Sequence, residues 1–205
     1  MAGGRKREFD KLNALDAAMK VFWNKGYLGA SLTDLTEGMG INKPSMYSTF
    51  GNKENLFLEA TKYYIDHHAK PHADTLSEPG VDLMTRIKNY LMSVVAAQCE
   101  ETNPKGCYIS LCVAEAAADC MPVNARALID EAGGYAVAML TEFLQQDPEA
   151  KATKLNEQAA EKALFLVAIL HGTAAMARAG KTLTDLNSVI DNAILCFNSA
   201  PSVSS

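Results

Sequence analysis

The chain lacks an apolar run approaching the 18 or more residues of a membrane-spanning helix, so the sequence predicts no membrane segment. Its start, MAGGRKREFD, is basic but is not followed by an apolar signal core, and a cytoplasmic location is expected. Alternating β-branched segments are scarce, while alanine is abundant and Pro and Gly fall mostly at segment boundaries. That combination predicts an all-α protein. Internal repeats, paired carboxylates, a glycine-rich phosphate loop and a close His/Cys metal motif are all missing, so neither an enzyme nor a bound metal or cofactor is expected. The cysteines number five, and an odd count in a cytoplasmic chain argues against a disulfide framework.

What is present is concentrated in Ser31–Phe57, SLTDLTEGMGINKPSMYSTFGNKENLF. Leu32, Leu35 and Met39 repeat at helical spacing, and Ser31 with Asp34 forms a capping-box pattern. Gly40 stops that helix, and Ile41 is expected between it and the next. Asn42 caps a second short helix, Lys43–Thr49, with Pro44 in its first turn. Met46 and Phe50 anchor it, leaving Lys43, Ser45, Tyr47, Ser48 and Thr49 to face outward. Such polar, basic and phenolic groups bond phosphate oxygens and base edges. Thr33, Lys43, Pro44, Ser45, Tyr47, Ser48, Thr49 and Lys53 are therefore the candidate DNA-contacting residues of a helix-turn-helix module. Lys53 opens a further helix, where its charge and the free N–H groups suit a phosphate.

Tyr47, Phe50 and the run Lys53-Glu54-x-Leu56 resemble the mark of the TetR family of bacterial transcriptional regulators. Ala14, Ala18, Phe22 and Gly26-Tyr27 extend the likeness over about residues 8–60. The resemblance implies phosphate contacts from Tyr47 and Lys53, base reading between Lys43 and Thr49, dimerisation, and repression as the usual mode, with activation left open. Pro104-Lys105-Gly106-Cys107, followed by Tyr108 and Ile109, resembles the NemR- and ComR-like group of that family. For NemR-like members this implies a cysteine that answers electrophiles and reactive chlorine species.

Charge is unevenly spread. Residues 1–50 hold seven Lys/Arg against five acids and the rest twelve against nineteen, a +2 head on a −7 body within a chain of net −5. Such a molecule orients its head toward DNA, and a dimer doubles a modest attraction. Arg5-Lys6-Arg7 reads equally as an arm for the DNA backbone or as a solubilising tail. The expected architecture has about nine helices: a three-helix head over residues 1–52, with Leu12, Leu15, Met19, Phe22 and Trp23 on its first helix's buried side, and a helical ligand-sensing and dimerisation body over 53–205. A helix over Lys53–Lys70 links the two, with Pro71–Gly80 and Gln146–Lys154 as connections.

Two apolar helices, about Leu155–Ala179 and Thr184–Asn198, present more apolar surface than one core requires. Leu166, Leu170, Ala174, Ile190 and Ile194 are the candidate dimer contacts, giving two heads to read a palindromic operator in double-stranded DNA. For the signal, two readings stand. Cys107, at a helix start beside Lys105, suits a reactive thiolate open to an electrophile or oxidant, although burial against Tyr108 and Ile109 would oppose this. Alternatively a small organic ligand enters a pocket lined by Tyr63, Tyr90, Met92, Tyr108, Met139 and Phe143. Cys99, Cys112, Cys120 and Cys196 read as small buried side chains, and Glu115 as a carboxylate facing either the pocket or water. The rival classes are an architectural DNA-binding protein without a ligand, and a thiol enzyme using Cys107 with His171.

Overall fold

The computed structural model describes residues 11–117 and 120–198, so Arg5-Lys6-Arg7 and the Ser-rich tail lie outside the described residues. Among these residues there is no strand. Ten α-helices follow one another: α1 (Lys11–Gly29), α2 (Leu32–Met39), α3 (Lys43–Phe50), α4 (Lys53–Tyr64), α5 (Leu83–Gln98), α6 (Tyr108–Ala116), α7 (Val123–Gln146), α8 (Pro148–Ala152), α9 (Ala159–Arg178) and α10 (Leu183–Asn198). The tenth comes from α8, where a loop was expected. Asp147 caps it by accepting N–H bonds from Glu149 and Ala150, and Pro148 sits where an N–H would have no partner. The expected Lys53–Lys70 helix ends early, at Tyr64. A π-helical turn over Ile65–Ala69 and a 3-10 segment over Lys70–Ser77 follow. Pro71 suits the first turn of that segment, and Leu76 fastens it into the core.

Two cores hold the chain. The first joins α1–α4 to α6 and the start of α7, with Phe22, Phe57 and Tyr108 fully buried. The second joins the 3-10 segment and α5 to the end of α7, α8, α9 and α10. The first core therefore crosses the boundary drawn after residue 52, and the head rests on α6. Arg86 closes the second. Its Nη1 reaches Leu76 O at 2.9 Å and Asp147 Oδ2 at 2.9 Å, tying the 3-10 segment and α8 to α5. Burial alone would raise the Asp147 pKa, but the Ala150 N–H and Arg86 outweigh it and hold the carboxyl below its ordinary range.

Several expectations are corrected by this packing. Leu166, Leu170, Ala174 and Ile190 are 5% exposed or less, because α9 and α10 turn that face onto their own chain. Ile194 is half-buried against the same core. The opposite face of α9 is open instead, with Leu164 61% and Met176 46% exposed, and Ala168, Gly172 and Ala175 between them. Leu12 is exposed, as are Cys120 and Cys196. By length and composition one helical stretch, Leu155–Arg178, is apolar enough to cross a membrane, contrary to expectation. One face of that stretch, with Ala163, Leu166, Val167 and Leu170, is packed on α5, α7 and α10.

Candidate DNA interface and sensing cavity

The local signals of the turn are realised side chain by side chain. Ser31 accepts from Asp34 N–H at 3.0 Å while Asp34 Oδ2 accepts from Ser31 N–H at 2.9 Å, and Gly40 ends α2 in a left-handed conformation. Asn42 caps α3 through Ser45 N–H at 2.8 Å, and Asn52 caps α4 through Asn55 N–H at 2.7 Å. Lys25 pairs with Asp34, fastening α1 to α2. That hydrogen bond leads the Ser31 contacts in holding the Asp34 carboxyl well below its ordinary pKa. Met46 and Phe50 point into the core. Thr33, Lys43, Pro44, Tyr47 and Ser48 are exposed, and Ser45 and Thr49 half-buried, so α3 offers one continuous polar face. Lys53 stands in the first turn of α4 with Nζ 4.6 Å from the Tyr27 ring centroid. Burial lowers its pKa, and Glu115 pulls the other way.

Glu115 faces neither pocket nor open water. It reaches from α6 to the head, accepting Tyr27 N–H at 2.7 Å and Leu28 N–H at 3.3 Å. Gly26 makes this possible, with φ +73° and ψ 177°; a Cβ there would lie 2.2 Å from Glu115 Oε1. The Arg178 guanidinium of α9 donates to Trp23 O at 3.3 and 3.4 Å. The head is thus gripped by α6 and α9 as well as joined through α4. The sequence carried a trace of this in the Gly26-Tyr27 pair, but its distant acceptor is 88 residues away.

A cavity of about 120 Å³ opens between these elements. That is room for several waters or a small organic molecule. Of the expected lining, only Tyr90 is there. Tyr108 is fully buried, its hydroxyl 2.7 Å from Thr61 Oγ1. Tyr63 stacks on His67 outside the cavity, and Met92, Met139 and Phe143 pack against the second core. In their place stand Trp23 of α1, Tyr64, His68, His72, Tyr135 and His171. Helix-face reasoning missed His68 and His72 because the π-helical turn and the 3-10 segment leave regular α-helical phase, and missed Trp23, Tyr64, Tyr135 and His171 because they come from four helices that only the tertiary packing brings together. Burial lowers the pKa of His68, His72 and His171 from the ordinary imidazole value.

Cys107 lines the same cavity as the residue that opens α6, with Sγ 3.6 Å from the Tyr64 hydroxyl. Burial and the neighbouring Cys107 push the Tyr64 phenol well above its ordinary pKa, so it stays protonated. Lys105 donates to Cys99 O at the end of α5. Cys112, behind it, is buried, and burial drives its thiol pKa upward. His171 is exposed at the cavity wall. Among the described residues no group of three or more His, Cys, Asp or Glu side chains is placed to hold a metal ion.

A capped helix-turn-helix head on an all-helical body defines the class of helical DNA-binding regulators. Residues 14–60 match the bacterial regulatory proteins of the tetR family. The chain is 30% identical to the TetR family transcriptional regulator CifR, whose cysteine-substituted variant was solved with 26-base-pair operator DNA; the match covers 94% of this chain and 98% of that one at a TM-score of 0.81. It is 36% identical over 106 residues to the transcriptional repressor ComR of Escherichia coli, 52% of this chain and 50% of that one. Reduced E. coli NemR shares the fold, with a TM-score of 0.68 at 16% identity over 94% of this chain and 98% of that one. The chain belongs to the TetR family of transcriptional regulators, which are not enzymes. It spans about half the length of the curated relatives ComR and YezE, the latter from Bacillus subtilis.

Proposed function

We propose that the chain is a cytoplasmic, homodimeric repressor that holds a palindromic operator and leaves it when the body cavity is filled. Residues 1–52 act as the DNA head and 53–205 as the sensing and dimerisation body. The observation that carries this is the exposed face of α3, with Lys43, Tyr47 and Ser48 outward and Met46 and Phe50 buried behind them. The relatives with repressor names, and CifR bound to operator DNA, support the reading. The open face of α9 meets its equivalent in a second copy, which spaces two recognition helices about one DNA turn, roughly 34–36 Å, apart. Filling the cavity acts on the head through α4, α6 and α1 together. It shifts the equilibrium only by its difference in affinity for the two head positions.

The test is quantitative. Tyr47→Phe and Lys53→Ala are expected to weaken binding to operator and random DNA by similar factors, because phosphate contacts carry no sequence information. Lys53→Ala also lowers the slope of log affinity against log salt by about one for each phosphate that the lysine neutralises, as counterion release requires. Folded variants with unchanged affinity would take both residues off the DNA face.

A second reading, covalent sensing, is favoured by the placement of Cys107 Sγ on the cavity wall, where a small electrophile would meet it. Hypochlorite or N-ethylmaleimide is then expected to modify Cys107 and release operator DNA from the wild type, while Cys107→Ser stays bound. Equal release from both proteins, read with thiol mass by mass spectrometry, would leave reversible binding as the switch.

A further inference from the structure

The cavity is walled by aromatic and imidazole rings and, among the described residues, contains no lysine or arginine. The carboxylate on its wall, Glu100, is exposed and already accepts from Thr102 Oγ1 and Asn103 Nδ2. An anion would find no fixed counter-charge there, and burial disfavours the charged form of the half-buried His68 and His72. His72 Nδ1 is engaged by Ser93 Oγ at 2.7 Å.

Among the described residues, two that line the cavity each carry a buried polar atom with no partner. Trp23 is 2% exposed, and its Nε1–H meets no acceptor. Tyr64 and His68 pack at steep angles to the indole, with ring centroids at 5.0 and 5.6 Å, which covers the ring without supplying an oxygen or nitrogen acceptor. Ser110 Oγ, in the first turn of α6, is buried and equally unpaired. An unmet buried donor is costly, and an indole N–H can only donate. A guest that brings an acceptor to the indole N–H gains a bond that an apolar guest of the same shape forgoes.

We propose that the cavity takes a small, neutral, ring-containing molecule bearing a carbonyl-type acceptor, held by Trp23 Nε1–H and Ser110 Oγ. This rests on reading the cavity as the sensing site. Trp23 belongs to α1, the first helix of the head, and Arg178 of α9 holds its carbonyl. The guest therefore touches the DNA-binding head itself, and Trp23 is a specificity-determining residue of the switch.

Trp23 is the only tryptophan of the chain, so its fluorescence reports on the site without a label. Acetophenone serves as the probe, ethylbenzene as the same ring without an acceptor, and benzyltrimethylammonium as a cation. Acetophenone is expected to change Trp23 emission saturably and to bind about tenfold more tightly than ethylbenzene, the worth of one well-made buried hydrogen bond. Ser110→Ala and Trp23→Phe, followed by calorimetry, are each expected to bring that ratio toward one. Ser110→Ala keeps the test valid if Trp23→Phe proves unstable. Equal affinity for the two neutral probes, tighter binding of the cation, or no saturable binding of acetophenone at millimolar concentration each overturns the proposal. Operator binding by the unliganded protein is measured separately. Its loss would sink the repressor reading, whereas its persistence beside a failed probe series would sink only this one.

Discussion

Gly26→Ala is expected to lower stability by on the order of 3 kcal/mol, through two costs that act at one position. The backbone, at φ +73° and ψ 177°, lies in a region essentially reserved for glycine, and strain of this kind costs about 1–3 kcal/mol. The new methyl carbon would also lie 2.2 Å from Glu115 Oε1, so the carboxylate must leave the Tyr27 and Leu28 N–H groups. Hydrogen bonds to a charged group contribute about 1.5–3 kcal/mol, the lower end applying where one donor is exposed. For a chain of this size the sum corresponds to a melting temperature lower by about 6–12 °C. A double-mutant cycle separates the causes. Gly26→Ala in a Glu115→Ala background retains the backbone strain but has no carboxylate to displace, so the two effects are expected to be non-additive. Full additivity would mean that the contact between α1 and α6 is not made in solution. Operator affinity is expected to fall when this clasp is broken, because α6 then no longer helps hold the heads at a fixed spacing.

Leu164→Glu combined with Ala168→Glu is expected to abolish the dimer while leaving the protomer folded. Both residues lie on the open face of α9, where substitutions ordinarily change protomer stability by no more than about 0.5 kcal/mol. Across a two-fold interface each new carboxylate meets apolar surface and its own symmetry mates, and neither is relieved by solvent. Separate heads lose the advantage of simultaneous engagement, so operator affinity is expected to drop by about 10²–10⁴. Sedimentation velocity reads the assembly and circular dichroism the fold. A pair-substituted protein that remains dimeric would place the interface elsewhere. Leu166→Glu makes the contrasting control: the residue is fully buried, and a charge there is expected to unfold the chain rather than divide a dimer.

The short-range features of the head were readable from residue order alone. The Ser31–Asp34 capping box, the Asn42-Lys43-Pro44 start and the Gly40 stop are interactions between residues three or four apart, so their partners appear beside them in the chain. The same holds for the apolar period that buried Met46 and Phe50 and left Tyr47 outward. Helical class followed for the same reason.

Three things were decided only by the tertiary structure. Which face of α9 is inside depends on where α5, α7 and α10 lie, and a helix apolar nearly all round carries no record of that choice; Leu166 and Leu170 were therefore read as contacts when they are core. The cavity wall was reassigned because its rings come from α1, α4, α7 and α9 and from the π-helical and 3-10 segments after α4, where regular helical phase no longer holds, and their convergence is invisible in the spacing of apolar residues. Finally, Glu115 became the clasp of the head because folding brings α6 against the kink at Gly26. The sequence by itself determined that this chain would build a helix-turn-helix head, through contacts local enough to be written in its order. How the body grips that head, and what can enter between them, depended on contacts between residues far apart in the chain, which only the packed structure brings together.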